Sequence, residues 1–280
     1  MLQKISSFVK KQKPFDAYFF WIVVTLTGIG LLSFISASLG ILARSEEKFY
    51  GVLFNQIVLG LVGGFLALWV CSLIPYSFWR KYSFYFFIGA VLLTLLVFIP
   101  GIGFEHGGAR RWISLGPVSF QPAEFLKVAF VIYFSAWLAW TRKKEGDFLF
   151  KIVPLVIILG IVGVALLRQP DTKSVILSAC AACAMLFVSG VSWKKIILII
   201  GGGVVVVGVL AYMRPYVRER IETFINPSRD PRGASYQLQQ SLIAIGSGGV
   251  VGRGLGQSVQ KFNYLPEPQG DSIFVQYWLA

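Results

Sequence analysis

The residues of this chain best suited to chemistry are carboxylates and cations in its polar, turn-rich stretches. The stretch 263–274 (Asn-Tyr-Leu-Pro-Glu-Pro-Gln-Gly-Asp-Ser-Ile-Phe) carries Glu267 and Asp271. Pro266 and Pro268 limit its flexibility, and Ile273 and Phe274 flank Asp271 with apolar surface. An apolar flank raises a carboxyl pKa toward the range useful to a general base. Glu267 competes with Asp271 for that role. Either one could also be an ordinary solvated loop carboxylate.

Three other constellations stand beside it. Gly107-Gly108-Ala109-Arg110-Arg111-Trp112-Ile113 places two guanidinium forks next to an interfacial tryptophan. Such forks match phosphate oxygens, although an interfacial anchor has the same composition. Arg110 and Arg111 are indistinguishable by chemistry alone. In Gln121-Pro122-Ala123-Glu124-Phe125-Leu126-Lys127, Pro122 suits a first helical turn. Glu124 and Lys127 are spaced i,i+3 and share a face, either as a structural ion pair or as groups lining a wet cavity. In Arg168-Gln169-Pro170-Asp171-Thr172-Lys173, Asp171 is placed to cap the following helix.

The elements that position these groups belong to a membrane. The 280 residues are 56% hydrophobic and 14% charged, with mean hydropathy +0.70. A soluble domain is nearer a quarter charged. Seven apolar segments follow one another, at 17–43, 52–74, 82–102, 122–140, 152–168, 174–192 and 196–213. Each approaches the roughly 20 residues that cross a bilayer. The expected fold is an all-α polytopic membrane protein, organised as a single membrane domain over 1–280. It has a tail at 1–16, about seven spans over 17–213 and a large loop region at 214–280.

Basic residues fall on alternate connections: the N-terminal lysines, Arg80/Lys81, Arg142 to Lys144 with Lys151, and Lys194/Lys195. The positive-inside rule puts these in the cytoplasm. The N-terminus is then inside, and the other connections face out. The net charge of +13 reflects loop topology and anionic headgroups, so nucleic acid is not expected as a partner.

The outer region from Arg214 onward holds seven Lys/Arg and five Asp/Glu and reads as an anion-binding surface. Within it, 218–225 and 235–245 are helical in pattern, with Leu238, Leu242 and Ile245 expected on one face. The glycine-rich run 246–256 lacks the Lys-Ser/Thr of a phosphate-binding P-loop. Cys180-Ala-Ala-Cys183 lies in an apolar run and reads as helix packing, and one histidine excludes a multi-histidine metal site. No metal ligands and no certain cofactor emerge, and a divalent cation stays open.

Six motifs in order carry a resemblance: Gly-Ala-Arg-Arg-Trp-Ile (108–113), Phe-Gln-Pro-Ala-Glu-Phe-Leu-Lys (120–127), Gln-Pro-Asp (169–171), Asp-Pro-Arg-Gly-Ala-Ser-Tyr-Gln (230–237), Gln-Ser-Leu-Ile-Ala-Ile-Gly-Ser-Gly-Gly (240–249) and Leu-Pro-Glu-Pro-Gln-Gly-Asp-Ser-Ile-Phe (265–274). The chain resembles the SEDS family of peptidoglycan glycosyltransferases (FtsW, RodA, SpoVE) over nearly its whole length. Residues 257–268 look more like FtsW than RodA.

The resemblance implies polymerisation of lipid II, an undecaprenyl pyrophosphate carrying a disaccharide-peptide, during division or elongation. It implies Asp271 as general base, with Arg111 and Lys127 on the pyrophosphate and Glu124 holding Lys127. Arg110, Gln121, Tyr236, Gln237, Gln240, Ser241 and Glu267 would complete the substrate-binding wall. The implied location is the bacterial cytoplasmic membrane, with the site on its outer face. Implied partners are a class B penicillin-binding protein and other divisome or elongasome membrane proteins.

The chain departs from the family pattern at Lys173, where a glycine is usual. It also lacks the last three of about ten family helices, so a C-terminally truncated chain is expected. A lipid II flippase, and an inactive scaffold that binds a penicillin-binding protein, are the competing readings.

Overall fold

The computed structural model describes residues 16–42, 45–106, 109–115, 118–141, 148–213, 215–228, 233 and 235–249. Asp271, Glu267, most of the glycine-rich run and the C-terminus lie outside the described residues. The chain divides into two compact units, one of residues 74–218 and one of residues 1–73 with 219–280.

In the second of these units, α1 covers Ala17–Leu42. A long helix follows, built from α2 (Glu46–Phe54), a π-helical stretch (Asn55–Val62) and α3 (Gly63–Leu73). The same unit contains α10 (Tyr236–Gly248) and all but the first turn of α9 (Pro215–Ile225). Gly249 follows α10 with φ +61°, a value glycine adopts without steric cost.

The unit 74–218 is a helical bundle with a small sheet. Its helices are α4 (Tyr76–Leu95), α5 (Pro122–Thr141), α6 (Phe148–Leu167), α7 (Thr172–Val188) and α8 (Trp193–Met213). Proline sets two of the starts. Pro75 is extended (φ −66°, ψ 142°) and precedes α4, while Pro122 occupies the first turn of α5, where its missing N–H costs nothing. α7 ends in a Schellman motif: Gly190 has φ +84°, its N–H donates to Phe187 O, and Val191 N–H donates to Leu186 O.

The core of this bundle runs along α5. Ala123, Leu126, Phe130, Phe134 and Leu138 recur every three to four residues and are buried. They meet Phe87 and Ala90 of α4, Leu155, Ile158, Val162 and Leu166 of α6, and Ala182 and Leu186 of α7. Phe130 stacks on Phe134 with centroids 5.9 Å apart, and Phe87 on Tyr133 at 5.3 Å. The outward faces stay apolar: Ile157, Val164, Leu177, Leu198 and Val205 are all exposed. Lipid tails are as apolar as leucine, so tight packing rather than exclusion of water sorts the inward residues from the outward ones.

Five described segments are long and apolar enough to cross a membrane: 17–36, 49–73, 76–98, 122–141 and 193–213. Ile152–Leu167 and Thr172–Val188 are shorter apolar helices. Together they match the seven expected segments. The helix expected to start at 82 starts at Tyr76, so Arg80 and Lys81 lie in its first turns rather than in a connection. Lys194 and Lys195 likewise lie in the first turn of α8.

The stretch between α4 and α5, expected to be loop, forms a three-stranded antiparallel meander. Its strands are β1 (Gly103–His106), β2 (Ala109–Leu115) and β3 (Val118–Phe120). Phe104 pairs with Trp112 and Ile113 with Phe120, and between Phe104 and Glu105 the register shifts so that Arg111 of β2 is passed over. Gly103 is required where the meander begins, because a Cβ there would lie 1.8 Å from the Val97 carbonyl oxygen.

Candidate functional site

The two arginines of β2 bond in different places. The pairing with β1 steps from Trp112 opposite Phe104 to Arg110 opposite Glu105 and passes over Arg111, which is partly buried. Arg110 Nε donates to Glu105 Oε2 at 3.1 Å in an exposed pair.

Arg111 reaches across to the α6–α7 turn. Its Nε donates to Gln169 O at 2.8 Å, and its Nη2 donates to Pro170 O. Gln169 is fully buried, and its Nε2 donates to Thr94 O at 3.1 Å, near the end of α4. Asp171 is 1% exposed and caps α7, accepting from Ser174 N–H at 3.3 Å as expected from its position. One end of the bundle is thus tied together: β2 to the turn, the turn to α4, and the turn to the start of α7. Among the described residues, three buried oxygens here have no protein partner: Gln169 Oε1, Asp171 Oδ2 and Thr172 Oγ1.

The same end holds the first turns of α5. Lys127 Nζ donates to Glu124 Oε1 at 2.8 Å. The lysine side chain is 19% exposed and the glutamate 58%, so the pair leans from the packed bundle toward its surface. Gln121 is partly buried, and its carbonyl accepts from Glu124 N–H at 3.2 Å.

Tyr236, Gln237, Gln240 and Ser241 lie on α10 in the other unit. Tyr236, Gln240 and Ser241 are partly buried. The helix puts Leu238, Leu242 and Ile245 on one face as expected; Leu242 is 51% exposed and Ile245 39%, while Ala244 is fully buried. Gln240, Ser241 and Ala244 follow helical spacing and share a face. Gln239, which sequence reasoning passed over, donates from Nε2 to Pro227 O at 2.9 Å. Gln169 stands in the Gln-Pro-Asp motif at 169–171, but the motif assigns it no role of its own.

Fold and site together define a multi-pass α-helical membrane protein with fixed cationic and ion-paired groups gathered at one end of a bundle. The family model described as "Cell cycle protein" (FtsW/RodA/SpoVE) matches residues 17–276, and the chain belongs to this family. Among its relatives are proteins named probable peptidoglycan glycosyltransferase FtsW. That of Legionella pneumophila is 36% identical over 265 residues, covering 94% of this chain and 67% of the relative. That of Geobacter sp. (strain M18) is 34% identical over 268 residues, covering 95% and 72%. The chain therefore spans about two thirds of the length of these curated relatives.

Solved structures share the fold. A chain of a peptidoglycan synthase complex aligns with a TM-score of 0.68 at 22% identity, covering 95% of this chain and 71% of that one. Thermus thermophilus rod shape determining protein RodA aligns at 0.54 and 18% identity, covering 95% and 93%.

Proposed function

We propose that this chain carries the site of a peptidoglycan glycosyltransferase that polymerises lipid II into glycan strands. The observation that carries the reading is the family match across 17–276, which includes all six motifs and relatives named for this activity. The geometry supports it. Two of the five N–H donors of Arg111 hold backbone carbonyls, which fixes the guanidinium, and among the described residues the other three are left for an anion. Lys127, oriented by Glu124, supplies a second positive charge.

In the proposed reaction Asp271 removes the proton of the acceptor sugar 4-hydroxyl. The oxygen attacks the anomeric carbon of the donor, the bond from that carbon to phosphate breaks, and undecaprenyl pyrophosphate leaves. An α-linked donor gives a β-linked product, so the transfer inverts and needs one base and a stabilised leaving group. Arg111 and Lys127 stabilise the departing pyrophosphate. The reading places the site on the outer face of the cytoplasmic membrane, with a class B penicillin-binding protein as partner in division or elongation.

The test is polymerisation of labelled lipid II by purified protein. It compares the 280-residue chain, a form extended to the length of its relatives, and Asp271→Asn in each. Glycan ladders that disappear with Asp271→Asn are the expected result. Lipid II translocation that survives Asp271→Asn without ladders in any form would replace the enzyme by a flippase. Lipid II binding with neither activity would replace it by a scaffold.

A further inference from the structure

α8 ends at Met213 and α9 begins at Pro215, so α9 starts at the level where a membrane-spanning segment leaves the bilayer. At 11 residues, about 16 Å, α9 is too short to cross. Its residues are nevertheless sorted for a boundary. At about 100° per residue, Val217, Ile221, Phe224 and Ile225 fall within one arc roughly 100° wide. Arg218 and Arg220 flank that arc, while Glu219 and Glu222 take the far side.

The arc is covered at one end and bare at the other. Val217 is 6% exposed, whereas Phe224 is 81% and Ile225 71% exposed. Tyr212 and Met213, which close α8, are 93% and 67% exposed.

We propose that α9 is an interfacial helix whose apolar arc, ending in Phe224 and Ile225, lies in the headgroup–acyl boundary of the leaflet where α8 ends. Lipid is the occupant that the pattern fits. In the chain, α9 follows the exposed end of an apolar span with one residue between them. Arginines at the flanks can lay their stems on the apolar boundary, while Glu219 on the far side is exposed. Two arginines balance two glutamates, so the attachment is apolar and does not select anionic lipid. Held this way, α9 fixes the height above the membrane at which the chain beyond Ile225 begins. This inference is independent of the reaction proposed above.

The test uses the full chain with Cys71, Cys180 and Cys183 replaced by alanine. Single cysteines, Phe224→Cys, Ile225→Cys and Glu219→Cys, carry an environment-sensitive fluorophore in phosphatidylcholine vesicles. Expected are blue-shifted emission at 224 and 225, several-fold stronger quenching there than at 219 by a shallow nitroxide lipid, and weak quenching by iodide. Replacing part of the phosphatidylcholine with phosphatidylglycerol leaves these values unchanged. Iodide quenching at 224 and 225 equal to that at 219 overturns the proposal. Shielding of 224 and 225 from both quenchers also overturns it, by showing that protein covers the arc. A requirement for phosphatidylglycerol overturns the apolar mode of attachment. The label at 225 reads the same arc should Phe224→Cys fail to fold.

Discussion

Removing the Arg111 guanidinium tests whether the end of the bundle is tied as described. One side chain makes two charge-assisted bonds, to Gln169 O at 2.8 Å and to Pro170 O. Such bonds are worth about 1.5–3 kcal/mol each. Arg111 is only partly buried, so water recovers some of that, and the expected loss for Arg111→Ala is about 3 kcal/mol. Arg111→Lys keeps one bond at best and should lose roughly half as much.

The assay is equilibrium unfolding in mixed micelles by titration with sodium dodecyl sulfate, paired with amide hydrogen exchange. About 3 kcal/mol corresponds to roughly a hundredfold faster opening. That opening should concentrate at 168–174 and in β2, and spare α1. If Arg111 served only as a ligand for an anionic substrate, both variants would unfold and exchange like the parent. Stability of Arg111→Ala within about 0.5 kcal/mol of the parent, with unchanged exchange at 168–174, would refute the reasoning.

Phe130→Ala opens a cavity of about 100 Å³ in the bundle core, and at about 24 cal/mol per Å³ it should cost roughly 2.4 kcal/mol in the same titration. The usual transfer contribution is largely absent, because the unfolded side chain stays in an apolar medium. Asp171→Ala removes the cap of α7 and should cost about 1 kcal/mol, whereas Asp171→Asn keeps the acceptor and should lose only a few tenths. Glu124→Gln should change stability by less than about 1 kcal/mol, because the pair is partly solvated. On the proposed function it should still slow lipid II polymerisation by freeing Lys127. Gly103→Ala drives a Cβ into the Val97 carbonyl and should cost about 2 kcal/mol or more, with exchange protection lost first in β1.

Much of this protein is legible in one dimension. Apolar runs near 20 residues long, broken by charge and proline, locate the spans, because a bilayer penalises every unsatisfied polar group and allows few alternatives to a helix. Local spacing also carries the Glu124–Lys127 pair and the Asp171 cap, since both depend only on residues three apart.

The sheet was not legible. Its seven-residue strand β2 lies in a glycine-bearing connection, and its pairing with β1 and β3 is a property of the partner strands. The separation of Arg110 from Arg111 follows from that pairing, because the ladder with β1 holds Arg110 opposite Glu105 and passes over Arg111. On α10, spacing put Leu242 and Ile245 on one face but did not say which side packs, and it is Ala244 that is buried. The link from Arg111 to Gln169 to Thr94 joins residues 58 and 75 positions apart. No local pattern encodes such a link. Only the packing of α4, β2 and the α6–α7 turn at one end of the bundle makes it, and there a buried amide and two backbone carbonyls must find donors or acceptors within the protein.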